Sequence, residues 1–154
     1  MFMLSGIPVI YSGDEIGQLN DYTYENDPDK ADDSRYIHRG KFRWDKAEDR
    51  HDKSTPEGRL FDALGQLETL RRTENVFVSE ADAWTIDTDN VELIALGRYY
   101  QNEKLVGVFN FSEFDMTFRY SEEGEFTDMI TGEKTDPENL NVPAYGFYWL
   151  KKKF

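Results

Sequence analysis

Three hydrophobic regimes follow one another along the chain. Residues 6–11, Gly-Ile-Pro-Val-Ile-Tyr, are a continuous apolar run rich in β-branched side chains and bounded by Gly6 and Gly13. A run of this kind predicts a strand buried on both faces, as in a parallel sheet. Such a strand needs a neighbour on each side, and nothing nearby reads as a second parallel strand with its crossover helix. The segment therefore looks cut out of something larger. Residues 12–53 are polar, acidic and without period. Loops of that length are generally functional or disordered. Tyr11, Tyr22, Tyr24, Tyr36, Phe42 and Trp44 give this one apolar surface to pack with and argue for order, with room for a short helix.

The second regime is helical. Thr55-Pro56-Glu57 supplies a capping hydroxyl, a proline at the first helical position and an acid in the first turn. Leu60, Leu64, Leu67 and Arg71 follow at helical spacing, widened by Phe61 and Leu70, so an amphipathic helix is predicted to end near Arg72 or Thr73. From about Val76 the period becomes two. Strands are predicted over 83–88, 91–100, 105–111, 115–120, 126–130 and 145–150, separated by turn residues such as Asp89-Asn90 and Thr131-Gly132. The expectation is a mainly β chain: an antiparallel β-sandwich in residues 79–154, preceded in residues 1–78 by a buried strand, a long loop and one helix.

Composition narrows the function classes. Aromatic residues make up 15% of the 154, which a disordered chain would not carry. The net charge of −13 repels phosphate backbones, so no nucleic-acid partner is expected. Lys151-Lys152-Lys153 is short and reads as a solvated end. The absence of cysteine excludes disulfides and thiolate metal sites and suits a cytoplasmic protein. The apolar start lacks a basic region and is too short to span a bilayer, so neither a signal peptide nor a membrane partner is expected.

Candidate chemistry is sparse. His38 and His51 have no metal-ligand spacing, and Asp27, Asp29 and Asp32 lack the calcium-loop pattern. No metal and no cofactor are expected. Tyr99, Tyr100, Tyr145, Tyr148 and Trp149 have faces on which sugars stack, but on alternating strands they are read first as core and cross-strand pairs.

The order of strand, acidic loop, helix and β-sandwich resembles the end of the α-amylase family, glycoside hydrolase family 13, over essentially the whole chain. Residues 6–17, Gly-Ile-Pro-Val-Ile-Tyr-Ser-Gly-Asp-Glu-Ile-Gly, look like the block where the eighth strand of that family's (β/α)8 barrel meets its loop. Leu19-Asn20-Asp21-Tyr22 and residues 30–39, Lys-Ala-Asp-Asp-Ser-Arg-Tyr-Ile-His-Arg, are similar to the loop of amylosucrases. The Val108-Phe109-Asn110-Phe111-Ser112-Glu113-Phe114 and Thr131-Gly132-Glu133-Lys134 segments resemble the C-terminal domain of the same group.

The resemblance implies a parent enzyme that processes sucrose or an α-glucan by a retaining mechanism, either transferring or hydrolysing. Retaining enzymes need two carboxyl groups about 5 Å apart. In the family these acids lie on earlier strands, and a full barrel takes roughly 250 residues. The chain alone is therefore expected to be inactive, with no catalytic residue of its own. Asp14 and Glu15, neighbours that a strand would point to opposite faces, are expected to shape the pocket and anchor loops. Arg35 matches the family's substrate-pocket arginine, and Arg39 is a second candidate. Their guanidinium forks suit a carboxylate and sugar hydroxyls together, and Asp33 is expected to brace Arg35. The alternative reading is a standalone, non-catalytic sandwich module that binds carbohydrate or a partner protein. The two readings differ structurally: an eighth strand torn from its barrel would expose apolar surface and two unpaired edges, leaving residues 1–17 poorly packed or paired with another copy of the chain.

Overall fold

A computed structural model describes residues 1–154. Its regular structure begins late. Residues 1–43 contain only 3-10 turns, Asp14–Ile16, Tyr22–Asn26 and Ser34–His38. Helix α1 (Trp44–Ala47) and a further turn (Glu48–His51) precede helix α2 (Pro56–Thr73). Eight strands follow: β1 (Asp82–Ile86), β2 (Leu93–Tyr100), β3 (Glu103–Asn110), β4 (Met116–Phe118), β5 (Phe126–Asp128), β6 (Lys134–Thr135), β7 (Leu140–Val142) and β8 (Phe147–Lys153). The mainly β class expected from the sequence is the one observed.

Helix α2 starts where its cap dictates: the Thr55 hydroxyl accepts from the Gly58 amide at 3.0 Å. Its leucine stripe, however, is only half covered, and Gly58 is its one fully buried residue.

The strands form a six-stranded antiparallel sheet in the order β1-β2-β3-β8-β5-β6 and a two-stranded sheet of β4 and β7. Period-two alternation separates the faces of the large sheet. On one face Leu93, Ala95, Val106, Val108, Phe126 and Leu150 pack with Phe118, Leu140 and Val142 of the small sheet, closing a sandwich core. On the other face Leu105 and Trp149 are buried with Val76, Phe77 and Met3. Met3 lies against Gly107, where a Cβ would come within 2.8 Å of its Cε. Phe77 and Trp149 rings meet at 5.3 Å.

Contacts divide the chain into two compact units, residues 1–8 with 68–154, and residues 9–67. Helix α2 contributes to both. The sequence boundary near residue 78 marks a change of period rather than of contacts.

Three local expectations are corrected. Residues 6–11 do not form a strand; they have no regular secondary structure and no strand partner, with Ile7 90% and Val9 76% exposed, because no neighbouring strand covers them. The aromatic residues of the loop do not build a core either: Phe42 and Trp44 meet edge-on at 4.7 Å, yet Trp44 remains 76% exposed. The terminal lysines are not a free solvated end, since β8 runs through them. Lys151 pairs with Glu74 and, at 3.1 Å, with Glu103, while Lys153 pairs with Glu103 at 2.8 Å. The opposing glutamates lie far away in sequence, so local charge counting does not find them. Of the sandwich aromatics, Trp149 is buried and Tyr148 packs on the core, whereas Tyr99 and Tyr145 are exposed.

Candidate functional site

The candidate residues lie in the unit of residues 9–67, whose backbone is organised by aspartates. Asp21 caps the Tyr22–Asn26 turn, accepting from the Thr23 amide at 2.9 Å and its hydroxyl at 2.6 Å. Asp33 caps the Ser34–His38 turn through the Arg35 amide at 3.0 Å. Asp27 and Asp52 do the same for Asp29 and Ser54. Each is an aspartate closing a turn on the amide two residues ahead. Four of the loop's acids thus have a local structural role. No group of three or more His, Cys, Asp or Glu side chains comes together in it as a metal site would require.

Asp33 also grips the side chain of Arg35. The guanidinium donates from Nε and Nη2 to the two carboxylate oxygens, both at 2.7 Å, a bidentate fork. Arg39 Nη1 stands 3.9 Å from the same carboxylate and its guanidinium lies 5.4 Å from the Tyr36 ring. The Arg35 hydrogen bonds hold the Asp33 carboxyl down at about 2, against an opposing push from desolvation. The structure thus brings Asp33, Arg35 and Arg39 into one cluster. Arg35 remains 72% exposed, and its Nη1 is not engaged by Asp33.

Asp14 and Glu15 sit elsewhere, in the Asp14–Ile16 turn rather than on a strand. Glu15 turns back to accept from the Gly13 amide at 2.7 Å. Gly13 adopts φ 101°, and a Cβ there would meet Gln18 at 2.9 Å, so glycine is required on both counts. Asp14 borders a narrow depression of about 40 Å³ with Gln18, Asn20 and His38. The His38 ring is hydrogen-bonded to Asn20 at 3.1 Å.

Sequence reasoning missed Gln18. Its side chain accepts from the Arg43 amide at 3.0 Å and donates to the Lys41 carbonyl at 3.2 Å, tying the two ends of the loop together. It lines a larger cleft of about 660 Å³ with Asn20, Asp21, Lys41, Arg43 and Glu57. Neither depression is bordered by Asp33, Arg35 or Arg39. A lone glutamine carries no pattern that would have marked it.

No protein-family model matches the chain. Among solved structures it is similar to a maltogenic amylase from S. marinus, at 22% identity and a TM-score of 0.63, over 99% of this chain and 18% of the amylase. It is also similar to a trehalose-6-phosphate hydrolase from Bacillus licheniformis, at 20% identity and a TM-score of 0.69, over 98% of this chain and 37% of the hydrolase. The chain therefore spans well under half the length of either protein. At these identities the likeness is one of fold, and it covers loop, helix and sandwich together.

Proposed function

We propose that this chain is the C-terminal portion of a retaining enzyme of the α-amylase family that processes sucrose or an α-glucan. It would contribute a wall of the sugar pocket and a stabilising β-sandwich, while the catalytic acids lie in the rest of the protein. The observation that carries the reading is the state of residues 9–67. Only Ile16 and Ala47 are buried apolar side chains there, and the preceding apolar run is uncovered. Ordering a backbone costs about 1–2 kcal/mol per residue, and two small buried side chains do not offset that over 59 residues. A covering body, such as the remainder of a barrel, is what such a surface fits. The similarity to two glucoside-acting enzymes, each covered only in part, points the same way.

Within this reading Arg35 faces the sugar. Asp33 fixes one edge of its guanidinium, leaving Nη1 to donate to a hydroxyl, and Arg39 stands behind the same carboxylate. Asp14 and Glu15 anchor the loop. The residues bordering Arg35 resemble the amylosucrase loop, which sucrose hydrolases share, so product analysis separates transfer from hydrolysis.

Two measurements test the proposal. The 154 residues alone should release neither glucose nor fructose from sucrose; turnover by them overturns the assignment of the acids to another part. In the longer protein, Arg35→Ala should lower kcat/KM on sucrose at least about tenfold, the scale of one lost charge-assisted hydrogen bond, with the protein still folded by circular dichroism. An unchanged kcat/KM removes Arg35 from the pocket.

A further inference from the structure

Within the unit of residues 9–67, the stretches 18–21 and 37–43 meet. They are the two ends of the segment that carries Asp33, Arg35 and Arg39. A main-chain hydrogen bond crosses between them, from the Asp21 amide to the Ile37 carbonyl at 2.8 Å. Gly40 lies against Asp21, where a Cβ would come within 3.1 Å of the aspartate Cβ. The His38 ring reaches Asn20 at 3.1 Å. Two further crossing bonds come from one side chain, that of Gln18, over 23 and 25 positions in sequence.

Gln18 Oε1 accepts from the Arg43 amide at 3.0 Å, and Nε2 donates to the Lys41 carbonyl at 3.2 Å. These main-chain groups flank Phe42, and a parallel strand beside Phe42 would engage the same pair. The side-chain amide therefore stands in for a peptide group where no strand is present. It is also fixed from behind. The Gln18 amide donates to the Gly13 carbonyl at 2.9 Å. Gly13 has no Cβ, which would come within 2.9 Å of Gln18 Cβ and 3.1 Å of Oε1. Asp33, Arg35 and Arg39 bond to one another, so their place relative to the Gly13 turn is set at the ends of the segment. Closing a segment of this length has an entropic cost that the crossing bonds must offset.

We propose that Gln18 is the positioning residue for Arg35: its side-chain amide clasps the ends of segment 19–42 and so fixes where the Asp33–Arg35 fork stands. The proposal rests on the reading of Arg35 as the sugar contact. It adds that the fork is placed by a side chain that bonds to neither Asp33 nor Arg35. The position needs a donor and an acceptor on one planar group. Glutamine has both; an ionised glutamate only accepts and sets its charge against the Lys41 carbonyl, whereas a protonated one has both again.

The test uses the longer protein and has two arms. In the first, hydrogen exchange without sugar reads the clasp at the Arg43 amide. Gln18→Met keeps most of the volume and removes both bonds, so protection should fall about tenfold at pH 7. Gln18→Glu should lose protection at pH 7 and regain it at pH 4. Its closed form needs the proton, which raises the carboxyl above its ordinary value of about 4.3, so closure is present below that value and lost as pH rises through it. Asp33, held at about 2, stays ionised at pH 4, and the fork persists. Asp14 and His38 on one side of Gln18, and Asp21, Lys41, Arg43, Lys46 and Glu57 on the other, are unchanged in the parent. The parent measured at both pH values therefore carries their contribution. In the second arm, Gln18→Met should lower kcat/KM on sucrose about fivefold and have no further effect in an Arg35→Ala background. Unchanged Arg43 protection in Gln18→Met, no recovery of Gln18→Glu at pH 4, or equal losses of kcat/KM in the two backgrounds overturns the proposal. Arg35→Ala turnover equal to the parent's overturns the sugar reading instead, and the exchange arm, which involves no sugar, then decides the clasp by itself.

Discussion

Arg98 donates from Nε to the carbonyl of Val76 at 2.6 Å, inside the protein and 22 residues away in sequence. The rest of its guanidinium reaches the Met3 carbonyl at 3.2 Å, the Ser5 hydroxyl at 3.3 Å and the Val78 carbonyl at 3.4 Å. No carboxylate pairs with it. Arg71 lies close by: its Nη1 bonds the Phe2 carbonyl, its Nη2 the Gly6 carbonyl at 2.5 Å, and both guanidinium groups approach the Phe77 ring to 5.3–5.4 Å. Burial, and then the Arg71 charge, push the Arg98 guanidinium below its ordinary value. Two arginines thus hold residues 1–6 against the sandwich through the main-chain carbonyls of Phe2, Met3 and Gly6 and the Ser5 hydroxyl.

Replacing Arg98 with methionine keeps most of the volume and removes every donor. Buried carbonyls left without partners cost roughly 1–3 kcal/mol each, so Arg98→Met should destabilise the chain by about 3 kcal/mol in urea unfolding. Arg98→Lys keeps the charge but not the fork and should recover only part of that. A methionine variant as stable as the parent would show that the carbonyl cage contributes nothing net.

The Asp33–Arg35 fork sets a pH window. Asp33 has a folded-state value of about 2, below the ordinary aspartate value of about 3.9. A depressed acid contributes stability that is present above its unfolded value and lost as pH falls through the folded one. The turn should therefore stay closed at pH 4 and open progressively down to pH 2. Carboxyl carbon shifts should report an Asp33 midpoint near 2, returning to the ordinary aspartate range in Arg35→Ala. A normal midpoint in the parent would mean that the fork does not persist in solution.

Asn110 should be among the costliest single positions in the sandwich. Its amide donates to the carbonyls of Phe114 at 2.7 Å, Pro143 at 2.9 Å and Val142 at 3.1 Å, while its carbonyl accepts from the Ser112 amide at 2.9 Å. Asn110→Ala should cost about 2–4 kcal/mol by calorimetry or denaturant melts. Asn110→Asp places a carboxylate against three carbonyls. Its folded-state pKa should rise, so this variant should be less stable at pH 7 than at pH 4, the reverse of the Asp33 case. Equal stability at the two values would argue against the buried three-carbonyl contact.

The uncovered run at Ile7 and Val9 should make the isolated chain associate with itself. Exposed apolar side chains clustered in one run are an association site. Sedimentation should show concentration-dependent dimers or larger species, shifted to monomer by Ile7→Lys with Val9→Lys. A monodisperse monomer in the parent would show that these side chains find cover within the chain.

The sequence alone carried the parts of this protein that depend on neighbours in the chain. Thr55-Pro56 fixed the start of helix α2, and alternation located six of the eight strands, though not the short β6 and β7. The chain segments that resemble a family also proved legible in physical terms. Gly13 sits at a positive φ against Gln18, Asn110 knits the turn after β3, and Asp128 holds the Thr131 amide and hydroxyl. What the tertiary structure decided is which side chains meet across long separations. It seated Trp84 on Gly97, enclosed Arg98 in carbonyls from residues 3, 76 and 78, and gave the terminal lysines their glutamates. It also left residues 7–11 bare. An apolar run states only that it should be buried; whether anything is there to bury it is a property of the folded partners, not of the run.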